Sequence, residues 1–271
     1  MVNPLKWHGG KVYLADWIIG QMPSHLHYVE PFFGGGAVLF RKPCEGVSEV
    51  ANDLNDHLIN FWKVLQDDRS FRELVRLCEL TPFSQVQWEE AYEIDSHRVV
   101  QANWTVRSAW RFFVRYRQSR QGLGKDFATM SKTRTRRGMN DQVSSWLSAI
   151  EGLPEAAERL RRVVLFSRRA CDVIRQQDGP DTLFYCDPPY LHSTRVTTDS
   201  YEHEMTVEDH SQLLETLSSI QGKFLLSGYR SDLYDNIASV YGWNRSELKI
   251  DNKASGKKKK DMKTECLWRN F

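Results

Sequence analysis

Short apolar runs, bounded by polar residues, glycine and proline, recur in the first and last thirds of the chain. Runs of four to six residues without helical spacing predict β-strands. Helical patterns separate several of these runs, which indicates an α/β fold with a largely parallel sheet covered by helices on both faces. The predicted strands are residues 27–30, 47–51, 163–166, 183–186 and 223–226, with a closing hairpin of residues 247–250 and 265–268.

Two segments have the spacing of amphipathic helices. The first is expected to begin at an N-cap formed by Asn52 or Asp53, and the second at Thr206. Apolar residues three and four positions apart would form the buried side of each helix. These residues are Leu54, Leu58, Phe61, Trp62 and Leu65 in the first helix, and Leu213, Leu214 and Leu217 in the second.

The middle of the chain, residues 70–162, has a different character. It is mostly helical in pattern, rich in aromatic and basic residues and without clear strands, and a stretch rich in Gly, Ser and Thr interrupts it at residues 119–139. A chain of 271 residues is long enough for one α/β core with an insertion, or for two modest domains. We favour a core of residues 1–69 and 163–271 with residues 70–162 inserted.

The charge distribution indicates a function for the middle of the chain. The whole chain has a net charge of +2, but residues 101–170 contain fifteen Lys and Arg against five Asp and Glu, a local net charge of +10 that leaves about −8 elsewhere. A solvated helical surface would explain such an excess, but a polyanionic partner explains its concentration better.

The remaining composition indicates where the protein works. Its five cysteines are scattered, without a spacing typical of disulfide frameworks or zinc sites, which favours a reducing, cytoplasmic environment. Residues 1–11 lack the apolar core of a signal peptide, and no apolar run is long enough to span a bilayer. The histidines His25, His27, His192, His203 and His210 are too dispersed to predict a metal site.

A glycine-rich segment follows the first predicted strand. In residues 27–40 (HYVEPFFGGGAVLF) a strand leads into Gly34, Gly35 and Gly36 and then into the expected start of a helix. Glycines let the backbone approach a ligand at the carboxyl end of a strand, where open α/β sheets bind nucleotides. Asp53 follows at the interval where such folds place a carboxylate for ribose hydroxyls. Because Leu39 occupies the third glycine position of a dinucleotide motif, another nucleoside-containing cofactor is favoured; a simple tight turn is the alternative.

The segment 183–190 (LFYCDPPY) is more specific. An apolar strand leads into Asp187, Pro188, Pro189 and Tyr190, and the two prolines make this segment stiff. Asp187 and the Pro188 carbonyl offer hydrogen-bond acceptors for an exocyclic amine, while Tyr190 offers a ring for stacking. We interpret this segment as an aminopurine pocket; a purely structural proline turn is the alternative.

Taken together, these motifs resemble the Dam-like class of adenine-N6 DNA methyltransferases, especially its phage and prophage members. The resemblance extends over nearly the whole chain in the family's order. The matching segments are residues 6–11 (KWHGGK), 29–36 (VEPFFGGG), 51–55 (ANDLN), 181–190 (DTLFYCDPPY), 227–229 (SGY) and 265–268 (ECLW).

The resemblance implies a Rossmann-like, seven-stranded methyltransferase sheet with a target-recognition domain inserted at residues 70–162. It also implies S-adenosylmethionine as cofactor and double-stranded DNA as partner. The catalytic pocket would be Asp187, Pro188, Pro189 and Tyr190. The cofactor site would consist of Trp7, Gly9, Gly10, Lys11, Glu30, Pro31, Phe32, Gly34, Gly36, Asp53 and Asp187.

Arginines alternate with aromatic residues in the middle of the chain. At helical spacing, Trp110, Phe113 and Val114 are expected in the core. The arginines are the expected contacts to DNA, with those of residues 134–137 as candidates for a groove. These candidates are Arg115, Arg117, Arg120, Arg134, Arg136 and Arg137, with Arg107 and Arg111 on the same basic segment.

Several alternatives remain open. An N4-cytosine methyltransferase presents a similar amine, whereas a nicotinamide dehydrogenase has no use for residues 187–190. A DNA-binding module without activity needs no cofactor site. Ring methylation of cytosine uses a Pro-Cys motif, which is absent, so Cys186 is interpreted as a buried strand residue. The lysine run 257–260 contacts phosphate or is disordered.

Overall fold

The computed structural model describes residues 3–96, 105–194, 204–251 and 262–271. The chain divides into two compact units, each built from three segments. The first unit contains Met1–Ile19, Gly34–Pro43 and Asn55–Ser167, and the second contains Gly20–Phe33, Cys44–Leu54 and Arg168–Phe271. The lysine run 257–260 and His203 lie outside the described residues.

Ten helices and nine strands are the principal elements of the described residues. In chain order, the helices are α1 (Ala15–Ile19), α2 (Asp56–Gln66), α3 (Asp68–Glu79), α4 (Gln85–Ser96), α5 (Val106–Arg117), α6 (Asp141–Glu151), α7 (Leu153–Leu160), α8 (Ala170–Gln177), α9 (Val207–Ser219) and α10 (Asp232–Val240). The strands are β1 (His27–Glu30), β2 (Ser48–Asn52), β3 (Thr135–Arg136), β4 (Met139–Asn140), β5 (Val163–Phe166), β6 (Thr182–Cys186), β7 (Lys223–Gly228), β8 (Asn244–Asp251) and β9 (Met262–Arg269).

The second unit is built on a mixed sheet. Six strands run in the order β2-β1-β6-β7-β9-β8, and within the described residues the main sheet has seven strands in all. Neighbours from β2 to β7 are parallel, whereas β9 is antiparallel to both β7 and β8. The largely parallel sheet and its closing hairpin are therefore confirmed, and the hairpin is longer than predicted.

Burial explains why these strands form at the centre of the second unit. Every residue of β6 is buried, and in β7 only Lys223 is partly exposed, as expected for strands covered on both faces. Cys186 is completely buried, which confirms its interpretation as a strand residue. The helix predicted from Thr206 is confirmed as α9, and Thr206 caps it: its side chain accepts from the Asp209 amide while the Asp209 carboxylate accepts from Thr206.

The first unit is mainly helical around an aromatic core. Phe61 of α2 stacks on Phe113 of α5 at 5.4 Å between ring centroids, and Phe113 also packs against Trp146 of α6. Trp110 and Val114 are buried in the same core, which confirms their prediction. Thr81 joins two of the tryptophans, since its hydroxyl and its carbonyl accept from the Trp110 and Trp146 indoles at 2.8 and 2.9 Å.

The predicted start of α2 was wrong. Asn55 is the N-cap, and its side chain accepts from the Leu58 amide at 3.0 Å. Asn52 instead ends β2, where its side-chain amide donates to the Pro31 and Arg168 carbonyls, both at 2.9 Å. Leu54 therefore precedes the helix and is 52% exposed, while the other four residues of the predicted stripe are buried.

Two further predictions were wrong. No regular helix follows the glycines: residues 37–42 form successive turns, with the Phe40 amide donating to Gly36 at 3.0 Å. The middle region also contains a short ribbon, β3 and β4, in which Thr135 pairs with Asn140. Its loop residues Arg137 and Gly138 have φ of 56° and 73°, the positive values of a two-residue type I′ hairpin. Glycine at the second loop position is the local signal for this turn.

Candidate functional site

The carboxyl edge of the parallel strands gathers three of the predicted motifs in the second unit. Strands β1 and β2 end at Glu30 and Asn52, and β6 ends immediately before Asp187. Because these strands are parallel and neighbouring, their ends lie along one edge of the sheet. Glu30 is 2% exposed and Asn52 is completely buried, so this edge contains polar groups sheltered from water.

Hydrogen bonds hold the segment that follows β1. The Tyr28 hydroxyl donates to the Glu30 carboxylate at 2.7 Å. Asn52 accepts through its backbone carbonyl from the Phe33 amide at 2.8 Å and donates through its side chain to the Pro31 carbonyl. The predicted cofactor residues Glu30, Pro31 and Phe32 are thus tied to the end of β2, where half-buried Asp53 follows.

The Asp-Pro-Pro-Tyr segment lies next along this edge. Asp187 and Pro189 are half-buried, and Pro188 and Tyr190 are buried. The Tyr190 hydroxyl donates a short hydrogen bond to Glu265, and its ring lies edge-on to Tyr229 at 4.7 Å between centroids. A shallow open depression adjoins this ring, lined by Tyr190, Leu191, Thr194, Gly228, Tyr229 and Tyr234.

The same edge has a negative electrostatic environment. Burial raises the pKa of Tyr185 well above its usual value, and Asp187, Glu265 and Glu30 raise it further. The pKa of Tyr190 is raised in the same way by burial and then by Glu265 and Asp187. Three carboxylates near two buried tyrosines favour a cation at this edge over an anion.

Glu265 is a buried residue of this edge to which the sequence motifs assigned no role. It lies on β9, 75 residues after Tyr190, and only strand pairing brings the two together. One signal was present in the sequence: a lone acidic residue precedes the apolar run Cys266, Leu267 and Trp268. Glu265 is 2% exposed, and a buried carboxylate requires hydrogen-bond donors.

In the first unit, Trp7 packs on the glycine turn. A β-carbon at Gly34 would lie 2.8 Å from the Trp7 indole nitrogen, and one at Gly35 would lie 2.7 Å from the Trp7 β-carbon. Gly34 also has φ of 50°, and its carbonyl accepts from the Trp62 indole at 3.2 Å. Close packing and turn geometry therefore both require glycine at position 34, and buried Gly36 has φ of 68°.

The predicted residues that follow Trp7 form a tight turn. The Gly10 amide donates to the Trp7 carbonyl at 3.2 Å, and the ammonium of buried Lys11 donates to the Gly9 carbonyl at 3.1 Å. Gly9 and Gly10 are exposed. The first unit thus brings Trp7 together with Gly34, and Gly9 together with Lys11.

The predicted DNA-contacting arginines of α5 have protein partners. Half-buried Arg117 donates to the Ser145 carbonyl at 3.0 Å, and burial lowers the pKa of its guanidinium to about 10. Arg115 donates to the Gly124 carbonyl at 3.0 Å and lies over the Tyr92 ring. Arg107 similarly lies over the Trp110 ring.

The later arginines are exposed. Arg120 follows α5. Arg136 lies on strand β3 of the ribbon, and Arg134 directly precedes that strand. Arg137 is also exposed, but it forms a two-pronged ion pair with Glu151, at 2.8 and 2.9 Å. The ribbon and the residue before it therefore present Arg136 and Arg134 to solvent.

No helix in the described ranges is both long and apolar enough to cross a membrane. In the same part of the chain, no three His, Cys, Asp or Glu side chains form a group suited to a metal ion.

Known proteins are similar to this chain in sequence. The sequence model of the D12 class N6 adenine-specific DNA methyltransferases matches residues 7–252. The DNA N-6-adenine-methyltransferase of Escherichia phage P1 is 26% identical over an alignment of 226 residues, which covers 79% of this chain and 27% of that protein. The chain thus spans about a quarter of the length of this relative.

Two other relatives are closer in length. The Type II methyltransferase M1.LlaDCHI of Lactococcus lactis subsp. cremoris is 24% identical over 98% of this chain and 94% of its own. The DNA adenine methylase of Vibrio cholerae is 24% identical over 78% of this chain and 74% of its own. The resemblance inferred from the motifs is confirmed: this chain belongs to the family of D12 class N6 adenine-specific DNA methyltransferases.

Proposed function

We propose that this protein transfers a methyl group from S-adenosylmethionine to the N6 amine of adenine at specific sites in double-stranded DNA. The observation that carries the proposal is the Asp187–Tyr190 segment at the carboxyl edge of the sheet, beside buried Glu30. Membership of the adenine-specific family supports the same reaction.

Asp187 and Pro188 would bind and orient the amine. A carboxylate and a proline carbonyl are acceptors only, and Pro188 and Pro189 contribute no competing N–H donors. Hydrogen bonds from the amine to these oxygens would hold the nitrogen with its lone pair free of the ring. The fixed φ of the prolines limits the motion of these acceptors, so orientation is supplied before the reaction begins.

The residues of the second unit suit the methyl donor. S-adenosylmethionine supplies an electrophilic methyl group on a positively charged sulfur. The carboxylates that raise the pKa of Tyr185 make this edge favourable for a cation, and buried Glu30 is a fixed acceptor there. We assign Glu30, Pro31, Phe32, Asp53 and Asp187 to the cofactor, with Asp53 accepting from ribose hydroxyls. Trp7, Gly9, Gly10, Lys11, Gly34 and Gly36 have this role by resemblance alone.

DNA contact is assigned to the basic middle of the chain. Exposed Arg120, Arg134 and Arg136 are suited to phosphates or to a groove, and a two-stranded ribbon is narrow enough to enter one. Arg117 and Arg115, whose guanidinium groups donate to backbone carbonyls, are also proposed to act near DNA, chiefly by shaping the surface. Residues 70–162 would then be the target-recognition insertion, and residues 1–69 and 163–271 the catalytic part.

The reaction can be tested directly. The protein is incubated with S-adenosylmethionine that carries a deuterated methyl group and with phage DNA grown in a strain that lacks methylases. The DNA is then digested and its nucleosides are analysed by mass spectrometry. Labelled N6-methyladenine is the expected product. Labelled N4-methylcytosine alone, or no labelled nucleoside, would contradict the proposal, and sequencing of the methylated DNA would give the recognition site.

A further inference from the structure

We propose that Glu265 is a positioning residue that holds the Tyr190 ring in the orientation needed to stack on the target adenine. This inference rests on the proposed function. Its basis is the hydrogen bond from the Tyr190 hydroxyl to a carboxylate that is itself 2% exposed. Glu265 would act through Tyr190 and not by contact with the base.

The direction of β9 explains how Glu265 reaches this place. Strand β9 is antiparallel to β7, with Cys266 paired to Gly228. The early residues of β9 therefore lie beside the carboxyl end of β7, from which Tyr229 continues. A parallel last strand would present its opposite end at this edge, so the reversed strand is what delivers the carboxylate.

Two contacts restrain the Tyr190 ring at different points. Glu265 accepts from the hydroxyl at one end, and Tyr229 lies nearly perpendicular to the ring, at an interplanar angle of 77°. A ring held at its hydroxyl and against a second ring loses rotational freedom before any ligand arrives. Such preorganisation lowers the entropic cost of stacking on an extruded base.

A charged acceptor strengthens the restraint. A hydrogen bond to a carboxylate is stronger than one between neutral groups, so it restrains the donor more firmly. Burial and the neighbouring carboxylates also raise the pKa of Tyr190, so its hydroxyl remains protonated and able to donate at neutral pH.

The test compares four variants on a duplex that contains the site found by sequencing. Tyr190→Phe removes the donor but retains the ring, Glu265→Leu removes the acceptor, Glu265→Gln retains an acceptor oxygen without charge, and the fourth variant combines Tyr190→Phe with Glu265→Leu. We expect kcat to fall about tenfold in Tyr190→Phe, in Glu265→Leu and in the double variant alike, because all three lose one and the same bond. Glu265→Gln should recover most of the rate.

Other readouts separate positioning from a general loss of structure. The KM for S-adenosylmethionine should change little, whereas the fluorescence of 2-aminopurine at the target position should report less stable extrusion. Thr182→Val is the matched control, since it removes a buried hydroxyl that donates to the Gln177 carbonyl at 3.0 Å at the amino end of β6, and its kcat should stay near that of the parent protein.

Three results would overturn the inference. They are multiplicative losses in the double variant, an unchanged kcat in Tyr190→Phe, and an equal loss of kcat in Thr182→Val. If Glu265→Leu does not fold, the kcat of Tyr190→Phe still tests the inference, because this variant removes only the hydroxyl oxygen and leaves the packing of the ring intact. An inactive parent protein would overturn the proposed function and this inference together, whereas an active parent with multiplicative losses would overturn only the role of Glu265.

Discussion

Gly122 lies so close to Lys6 that a β-carbon at position 122 would fall 2.0 Å from the Lys6 carbonyl oxygen. The Lys6 ammonium in turn donates to the Ser119 carbonyl at 3.1 Å. The segment before Trp7 is therefore packed directly on the turn that follows α5, within the first unit. Any side chain at position 122 must displace the backbone of Lys6. Movement of a flexible side chain cannot relieve this clash.

Gly122→Ala should lower the free energy of unfolding far more than Gly138→Ala. The two glycines have φ of 71° and 73°, so alanine costs about 1–2 kcal/mol at either position for its backbone conformation. No atom lies within 4 Å of a β-carbon at Gly138, whereas overpacking at Gly122 adds about 1–3 kcal/mol. Urea denaturation measures both values; equal losses would show that the Lys6 contact has no energetic weight.

Asp187→Ala should abolish most methylation without unfolding the protein. Removing one fixed polar group from a reacting centre reduces kcat by about 10²–10³. Asp181→Ala is the control, because Asp181 is exposed before β6 and should leave the rate unchanged. The assay is incorporation of labelled methyl groups into DNA, with circular dichroism to verify folding. Substantial turnover in a folded Asp187→Ala variant would remove this carboxylate from the mechanism.

Arg134→Ala and Arg136→Ala should weaken DNA binding and its salt dependence. Each arginine that contacts a phosphate contributes about one unit to the slope of log affinity against log salt concentration. Arg76→Ala on α3 is the control, since its side chain is 70% exposed beside Glu79 and carries the same charge. Fluorescence anisotropy at several salt concentrations measures the slopes. Equal losses in all three variants would indicate a nonspecific charge effect, contrary to contact by the ribbon.

Arg117→Ala should lower stability, whereas Arg120→Ala should weaken DNA binding. Arg117 donates to the Ser145 carbonyl, so its removal should lower the free energy of unfolding by about 1–3 kcal/mol. Arg120 is exposed, so its removal should leave stability unchanged but weaken DNA binding. Thermal unfolding and DNA titration of both variants distinguish these outcomes. A stable Arg117→Ala variant with weaker DNA binding would assign Arg117 a direct contact instead.

Stability should decrease as the pH rises above 10. The buried tyrosines Tyr28, Tyr185 and Tyr190 have pKa values raised chiefly by burial from the usual 10.0. Above pH 10 the unfolded chain releases these protons while the folded chain retains them, so the free energy of unfolding falls with pH; below pH 10 the contribution is fully present.

Urea unfolding at several pH values from 9 to 11 measures this slope. Tyr185→Phe should reduce it, whereas Tyr13→Phe should not, because Tyr13 is 82% exposed. An identical slope in both variants would contradict the assignment to buried tyrosines.

Much of the fold could be predicted from local patterns. The residues of β1 and β5 were predicted with their observed bounds, and a helix from Thr206 was predicted where α9 begins. Such features depend on spacing and on residues close in the chain. The start of α2 could not be predicted in this way, because Asn52 and Asn55 are equally good caps locally. Hydrogen bonds from Asn52 to Pro31 and Arg168 decided between them.

The amino-acid sequence by itself determined the family and the order of its motifs, since both are properties of residue types and spacing. Only the tertiary structure decided which polar groups meet. Tyr190 and Glu265 are 75 residues apart, and Arg117 and Ser145 are 28 apart. Hydrogen bonds at such separations depend on strand direction and helix packing, which no local pattern specifies. The same arginine-rich segment therefore contains both half-buried structural side chains and exposed ones suited to DNA.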